Sequence, residues 1–313
     1  MLAALLIVLP VFALILAGWL AGRTAVFGPH ATAEINRFVV WLALPALLFH
    51  VVATADWNDL RQPGFIASFT ISAALSMALA LIISVRRTGN LVDGAIDGLN
   101  AGYANIGFVG FPIVLVALGP EALVPATIGS IITMCVIFAA AIVLIEIGRQ
   151  DEARPLRLAI KVAVTLIRNP VLVAPAVATV FPLTGLVLPA PAETFLRLLG
   201  GAAAPCALVA LGLFVASNRP GGDARYGATV FLIVCKLLLH PLLAWILARF
   251  VFDLSTFATQ AVVLLAALPA GTGSFMLAEL YRRDAAVSSR TIIGSTLLSV
   301  LTITLLVSAM PYL

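Results

Sequence analysis

Charged residues are scarce in this sequence. Only 10% of its 313 residues are Asp, Glu, Lys or Arg, whereas 62% are hydrophobic and the mean hydropathy is +1.15. Because so few polar groups cannot cover a soluble globule, the composition predicts a polytopic membrane protein. The first apolar run, residues 2–22, lacks a basic leading segment and continues into further apolar runs, so we expect a membrane span rather than a signal peptide.

Cysteine and the common catalytic motifs are scarce as well. Cys135, Cys206 and Cys235 lie within apolar runs without metal-ligand spacing, which argues against disulfides and against a zinc site. The sequence contains no Walker A pattern, no HExxH, no paired aspartate motif and no GxSxG. We therefore expect neither an enzyme nor a bound metal or other cofactor. Any pumping would use ion gradients or a partner ATPase.

The apolar runs that are long enough to cross a bilayer, at about 20 residues each, predict ten transmembrane helices. They cover approximately residues 3–22, 33–53, 64–85, 91–118, 121–147, 161–181, 190–217, 225–250, 256–281 and 287–311. Each half holds five spans, so we predict an all-α protein with repeats over residues 1–150 and 151–313. An odd number of spans makes the second half enter from the opposite side of the membrane, as an inverted repeat.

Basic residues fall mainly on the odd-numbered connections between these spans. The odd side holds Arg23, Arg37, Arg86, Arg87, Arg149, Arg154, Arg157, Lys161, Arg168, Arg219, Arg225, Arg282, Arg283 and Arg290. The even side holds only Arg61, Arg197 and Arg249. By the positive-inside rule the odd connections are cytoplasmic and both termini lie outside. The basic residues thus orient the protein, and no nucleic-acid partner is expected.

The fourth apolar run, residues 91–118, is unfavourable for an unbroken helix because it contains five glycines, two asparagines and Pro112. Backbone groups that lose their hydrogen bonds cannot face lipid, so a break here must border protein or a water-filled cavity. We place Asn105 at or beside the break. The alternative is a continuous kinked helix in which Gly94, Gly98 and Gly102 allow a neighbouring helix to approach closely.

The ninth run is the counterpart of the fourth, since Pro269 and several glycines crowd its centre. The paired prolines Pro10 and Pro170, and Pro45 and Pro205, support the repeat, because each pair is about 160 residues apart. Coincidental proline placement is the alternative. Two broken helices in inverted halves are predicted to cross near the bilayer midplane. Their half-helix N-termini carry partial positive charge, which suits an anionic group such as a carboxylate.

Four stretches resemble the auxin efflux carrier family: INRFVVWLALPALLFH (35–50), LIRNP (166–170), LVALGLFVASNR (208–219) and AALPAGTGSFMLAELY (266–281). That family includes the plant PIN-type carriers and bacterial members assigned to small dicarboxylates such as malonate. The resemblance implies a ten-helix fold similar to bile-acid symporters and sodium–proton antiporters. It also implies spans 1, 2, 6 and 7 as a scaffold, spans 3–5 and 8–10 as a moving transport domain, and elevator-like alternating access in a homodimer.

The resemblance also carries site residues. ANIGFVGFP, residues 104–112, matches the first crossover of the family, so Asn105 takes the place of its substrate-contacting asparagine. The implied substrate-binding set is Ala104, Asn105, Ile106, Gly107, Gly271, Thr272, Gly273 and Ser274, with Pro112 and Pro269 as crossover hinges. The plant proteins have proline where Ala104 and Ser274 stand here, and their long central cytoplasmic loop is reduced to roughly residues 148–160. These departures preserve the fold but argue against auxin itself.

A few polar residues inside the spans are candidates for charge balance or proton coupling. Lys236 lies near the middle of span 8, where it would offset substrate charge, shuttle a proton or form a structural tie to a backbone carbonyl. His240 is one turn further on and shares that face or caps the backbone opened by Pro241. Asp97 is a candidate proton carrier or cation ligand. Asn36, at the start of span 2, is read equally well as a helix-end anchor or as a gate.

These observations predict a secondary transporter for a small organic anion in a bacterial inner membrane, with proton coupling favoured over sodium. An anion channel and a sodium-coupled symporter of the bile-acid transporter type are the alternatives. A channel needs a continuous polar path, whereas the polar residues here cluster at one depth, which favours an occluded carrier site. The expected partners are the anion, the lipid bilayer and a second copy of the chain.

Overall fold

The computed structural model describes residues 2–24, 26–28, 30–54, 61–149, 160, 164, 167–217 and 226–310, with side chains for all of these except 2–9, 11, 12, 108 and 112. Within these ranges all regular secondary structure is helical, which confirms the predicted all-α class. The β pairing found there is an isolated antiparallel bridge between Ala104 and Ala270. Of the basic loop residues, Arg154, Arg157, Lys161, Arg219 and Arg225 lie outside the described part of the chain.

Most helix ends agree with the predicted spans to within a few residues, but the helix of the sixth span begins at Pro170, whereas the sixth predicted span begins near residue 161. In the first half they are α1 (Leu2–Arg23), α2 (Ala31–Ala53), α3 (Pro63–Thr88), α4 (Leu91–Gly102), α5 (Phe111–Leu118) and α6 (Pro120–Gly148). In the second half they are α7 (Pro170–Thr184), α8 (Ala190–Ser217), α9 (Tyr226–Val251), α10 (Thr256–Ala266), α11 (Gly273–Leu280) and α12 (Ala286–Ala309). The fourth and ninth predicted spans are each divided between two helices.

Six helices, α2, α3, α6, α8, α9 and α12, are long and apolar enough to cross a membrane. On α3 the exposed side is lined by Ile71, Leu75 and Leu79, whereas Ser72 and Ser76 are buried. Helix α12 repeats this arrangement with exposed leucines and buried serines and threonines. Apolar groups outside and hydroxyls inside suit a lipid solvent rather than water. The chain is a multi-pass membrane protein.

Helices α3 and α4 pack closely through the small residues of α4. A Cβ atom at Gly98 would come within 2.8 Å of the Met77 carbonyl oxygen, and one at Gly102 within 2.7 Å of the Ala73 carbonyl oxygen. The glycines of α4 therefore serve the close helix approach that was the alternative interpretation. They lie before the interruption, so close packing and a break coexist in the same span.

The helices associate in two groups that border the site described below. Helices α1 and α2 pack against α8, and α2 also packs against α7. Helices α3, α4 and α6 pack together, and α9 packs against α3, α10 and α12. Helices α2 and α8 face the interrupted spans across the cavity described below.

Candidate functional site

The two interrupted spans meet where each loses its helical backbone. We call residues 91–118 the first interrupted segment and residues 256–280 the second. The backbone N–H of Asn105 donates to the carbonyl of Pro269 at 2.9 Å, and the N–H of Gly271 donates to the carbonyl of Tyr103 at 3.0 Å. These bonds frame the bridge between Ala104 and Ala270. Residues 103–105 and 269–271, the crossing, thus satisfy each other's loosened backbone.

Four helix ends converge on the crossing. Helices α4 and α10 finish there, at Gly102 and Ala266, and present carbonyl groups with partial negative charge. Helix α11 and the π-helical turn Ile106–Gly110, which leads into α5, begin there and present N–H groups with partial positive charge. The first N–H groups of α11 have no carbonyl partner within their own helix, because the first such bond is from Met276 to Thr272.

A cavity of about 270 Å³ lies between the crossing and helices α2 and α8. Its lining is formed by Val39, Leu44, Leu47, Val51, Tyr103, Ala104, Asn105, Ile106, Gly107, Phe111, Ser130, Met134, Gly200, Gly201, Ala203, Ala204, Thr272 and Met276. We call it the crossing cavity. Among the described residues that line it, none carries a formal charge, so polarity there comes from an amide, a few hydroxyls and the backbone.

Asn105 is the amide side chain of this cavity. It is 6% exposed, and its Nδ2 group has no hydrogen-bond partner among the described residues. Among the described residues, the hydroxyls of Ser130 and Thr272 contact only the sulfur atoms of Met134 and Met276, each at 3.7 Å, which are weak acceptors. A buried donor without a partner costs free energy unless a ligand or water accepts from it. The crossing cavity therefore holds hydrogen-bond capacity suited to a small polar ligand.

Ser274, which the resemblance places in the substrate-binding set, takes part in a buried hydrogen-bond network. Its Oγ donates to Oδ1 of Asn100 at 2.6 Å, and Nδ2 of Asn100 donates to Oγ of Ser288 at 2.9 Å. A second tie runs from the Ala270 N–H to Oγ of Ser295 at 3.1 Å. These bonds fasten the crossing to α12. No sequence pattern indicates this role of Asn100, because Ser274 and Ser288 are distant from it in the chain.

Lys236 is fully buried beside the crossing but does not line the cavity. A π-helical turn, Cys235–Leu239, carries it within α9. Its Nζ donates to the carbonyl of Ala266 at 2.7 Å and lies 3.2 Å from Nδ1 of His240. The cation thus sits at the C-terminal end of α10, where the helix dipole favours positive charge. The sequence allows three roles for Lys236, and this hydrogen bond corresponds to one of them, the structural tie to a backbone carbonyl.

Asp97 lies away from the crossing cavity, in the direction of the Arg282 and Arg283 loop. Its Oδ2 accepts from Oγ of Ser84 at 2.6 Å, and it lines a separate cavity of about 270 Å³ with Asp93 and both arginines. Asp93 pairs with Arg283 through two bonds of 2.7 and 2.6 Å, and this hydrogen bonding raises the pKa of Arg283. Asp97 and Lys236 therefore occupy different surroundings.

Of the remaining predicted residues, some line the crossing cavity and others do not. Ala104, Ile106, Gly107 and Thr272 line the cavity together with Asn105. Gly271 and Gly273 lie behind it, where a Cβ at Gly273 would come within 2.9 Å of the Phe138 ring. Pro269 supplies the carbonyl that Asn105 binds. The side chain of Pro112 lies outside the described part of the structure.

Asn36 is a residue that the sequence left ambiguous. Its Nδ2 donates to the carbonyl of Met276 at 2.9 Å, so it links α2 to α11. Its Oδ1 is buried without a partner among the described residues. The same part of the structure contains no group of three or more His, Cys, Asp or Glu side chains placed to hold a metal.

Comparison with known proteins gives a consistent result along nearly the whole chain. Residues 4–307 match the family model described as "Membrane transport protein". The chain is 30% identical over 300 residues to a Rhizobium meliloti protein named "Putative malonate transporter", covering 95% of this chain and 93% of that protein. It is 27% identical over 300 residues to "Uncharacterized transporter YfdV" of Escherichia coli, covering 94% and 92%. It is 28% identical over 304 residues to an "Uncharacterized transporter" of Methanothermobacter thermautotrophicus, covering 95% of each.

Proposed function

Because the chain belongs to the membrane transport protein family, the auxin efflux carrier family that its motifs resemble, we propose that it is a secondary active transporter of a small organic anion. The proposed substrate is a mono- or dicarboxylate such as malonate. The name of the Rhizobium meliloti relative supports this class of substrate. The crossing cavity, at about 270 Å³, is large enough for an anion of a few carbon atoms.

The observation that carries this proposal is the Nδ2 group of Asn105, which has no hydrogen-bond partner among the described residues and lies in a cavity lined mainly by apolar side chains. A carboxylate oxygen placed there would accept from this amide. It would also face the first N–H groups of α11 and of the turn that leads into α5, which favour an anion. Ala104, Ile106, Gly107 and Thr272 would shape the same site, with Gly271 holding the crossing together and the backbone of Gly273 and Ser274 supplying N–H groups at the start of α11.

The proposed architecture has ten transmembrane spans as two inverted repeats, residues 1–150 and 151–313. In it α1, α2, α7 and α8 form the scaffold, and the remaining helices form a transport domain that moves in an elevator-like step. The position of the crossing cavity supports this division, since one wall comes from α2 and α8 and the other from the crossing. We further propose a homodimer in a bacterial inner membrane, with both termini outside the cytoplasm.

We propose coupling to protons rather than to sodium. Lys236 and His240 would balance charge at the end of α10, and Asp97 would carry or sense a proton in its own cavity. None of the three lines the crossing cavity, so they would act on the ligand through movement of the helices that hold them. Pro112 and Pro269 are the proposed hinges of that movement.

The test uses purified full-length protein. A thermal-shift screen against mono- and dicarboxylates identifies a ligand, because a compound that binds the native state stabilises it. Uptake of that compound into proteoliposomes is then measured under a pH gradient and, separately, under a sodium gradient. We expect uptake to follow the pH gradient, to be accelerated by unlabelled ligand inside, and to return the compound unchanged.

Each alternative predicts a different outcome of these measurements. Uptake that requires sodium and ignores pH contradicts proton coupling. A channel would conduct without acceleration by internal ligand, and an enzyme would consume the compound. The absence of stabilisation by any carboxylate would contradict the proposed substrate class.

A further inference from the structure

The charge balance of the crossing cavity restricts the ionic form of its ligand. We propose that the cavity takes a carboxylate ligand with one negative charge, so that a dicarboxylate binds with its second carboxyl group protonated. This inference rests on the proposed function, because it concerns the ligand of the same cavity. It adds the ionisation state, which neither the motifs nor the relatives specify.

The partial positive charge that faces the ligand amounts to about one elementary charge, because the C-terminal ends of α4 and α10 at the same crossing are met by donors of their own, Ser76 on the Ala101 carbonyl and Lys236 on the Ala266 carbonyl. Two helical segments begin at the crossing, α11 at Gly273 and the turn Ile106–Gly110 that continues into α5. The N-terminus of a helix carries roughly half an elementary charge. The free Nδ2 group of Asn105 adds a neutral donor. One carboxylate therefore finds donors and a compensating charge, whereas two would exceed what these groups supply.

No formal cation faces the ligand from the described lining of the cavity. Opposite the crossing the wall is aliphatic, with Val39, Leu44 and Leu47 among its members. A second carboxylate group would lose its hydration there without gaining a charged partner, which strongly disfavours an anion. Lys236 is fully buried, and its Nζ group already donates a hydrogen bond to the carbonyl of Ala266.

A protonated carboxyl group fits the crossing cavity better than a second carboxylate group does. It has no charge to desolvate, and its O–H needs only one acceptor. The hydroxyls of Ser130 and Thr272 can accept a hydrogen bond from this O–H, because among the described residues each contacts only a methionine sulfur at 3.7 Å. Protonating the ligand costs about a factor of ten in affinity for each pH unit above the pKa of the second carboxyl group.

One consequence concerns coupling. If the dicarboxylate enters the cavity as a monoanion, each transport step carries one proton on the ligand itself. Proton coupling would then need no titrating side chain at the site. This agrees with a cavity whose ionisable neighbours, Lys236 and Asp97, lie outside its lining.

The test compares three ligands of nearly equal size on the purified full-length protein across a range of pH. Malonate titrates between the monoanion and the dianion. Malonamate, with an amide in place of one carboxyl group, stays a monoanion, and malonamide is neutral. We expect malonate affinity to fall about tenfold per pH unit above its second pKa, whereas malonamate affinity stays constant. Malonamide should bind much more weakly than malonamate.

Several outcomes would overturn the inference. Malonate affinity that is constant or rises with pH would mean that the dianion binds. Parallel loss of malonamate and malonate affinity would mean that a protein group titrates instead. In both cases the transporter proposal survives, because an anion still binds. If neither malonate nor malonamate binds at any pH, the proposed function fails and this inference fails with it. The variant Asn105→Ala, which should weaken both anions equally, assigns the signal to the crossing cavity.

Discussion

The two interrupted segments meet at one crossing, yet they contribute different side chains. The first segment supplies Asn105, which lines the cavity and whose Nδ2 group has no hydrogen-bond partner among the described residues. At the end of its helix α4, the hydroxyl of Ser76 donates to the Ala101 carbonyl at 3.0 Å. In the second segment Ser274 is fastened to Asn100, and the end of α10 is met by the cation of Lys236. Both segments break in the same way, but their polar groups face different partners.

This difference separates two requirements of the site. The backbone requirement is symmetric, since each segment must find hydrogen bonds for its unwound residues and does so on the other. Recognition is asymmetric, because the buried amide donor comes from the first segment, whereas the second adds the hydroxyl of Thr272. We therefore expect substitutions in the first segment to act on ligand affinity, and substitutions in the second, apart from Thr272 in the cavity lining, to act first on stability.

The largest effect is expected from Asn105→Ala. A hydrogen bond to a charged group contributes about 1.5–3 kcal/mol, so we expect ligand affinity to fall roughly 10- to 100-fold. The melting temperature should change little, because Nδ2 of Asn105 has no partner in the described structure. The measurements are malonate affinity from ligand-dependent thermal shifts and uptake into proteoliposomes.

The matched control is Asn90→Ala, at the residue just before the first interrupted segment. Oδ1 of Asn90 accepts from the Asp93 N–H at 3.1 Å and caps α4, so its loss should lower stability without changing affinity. Full uptake by Asn105→Ala would show that the crossing cavity is not the substrate site.

Much of this arrangement could be predicted from the sequence, because the signals are local. Glycines, asparagines and prolines crowd both segments, and backbone chemistry alone then requires a break. Asn105 was identified beside the break in the same way. Partners could not be predicted, since Asn100 and Ser288, or Lys236 and Ala266, are brought together only by packing of distant helices.

The next effect concerns Lys236, where the sequence allowed either a functional or a structural role. Lys236→Met removes the donor from the Ala266 carbonyl at the end of α10, and a buried acceptor left unpaired costs about 1–3 kcal/mol. Lys236→Gln keeps a donor of similar length without the charge, so we expect it to recover part of the lost stability. Thermal unfolding of both variants measures this.

Ligand affinity of the same two variants sharpens the comparison between segments. We expect Lys236→Gln to bind malonate within about threefold of the unchanged protein, because Lys236 does not line the cavity. Equal and large losses of affinity in both variants, with normal melting, would instead make the cation a direct partner of the substrate.

A smaller effect is expected from Ser274→Ala. It removes the donor to Oδ1 of Asn100, a typical hydrogen bond worth about 1 kcal/mol, and should lower stability while uptake persists. The control is Thr272→Val, two residues earlier in the cavity lining, which should weaken ligand binding more than it affects melting. A loss of uptake in Ser274→Ala with unchanged melting would instead support a direct role of this serine in the substrate-binding set.

The smallest effect is expected from the ion pair between Asp93 and Arg283, which joins the two segments at their ends away from the crossing. Asp93 near the start of the first segment forms two hydrogen bonds with Arg283, just beyond the second. Both side chains are partly exposed, at 26% and 33%, so a double-mutant cycle with Asp93→Asn and Arg283→Gln should give a coupling energy of about 0.5–1 kcal/mol. Because solvent screens this pair, the coupling should shrink in high salt. A coupling that salt leaves unchanged would mean that the pair is a rigid part of the crossing rather than a loose tie at its edge.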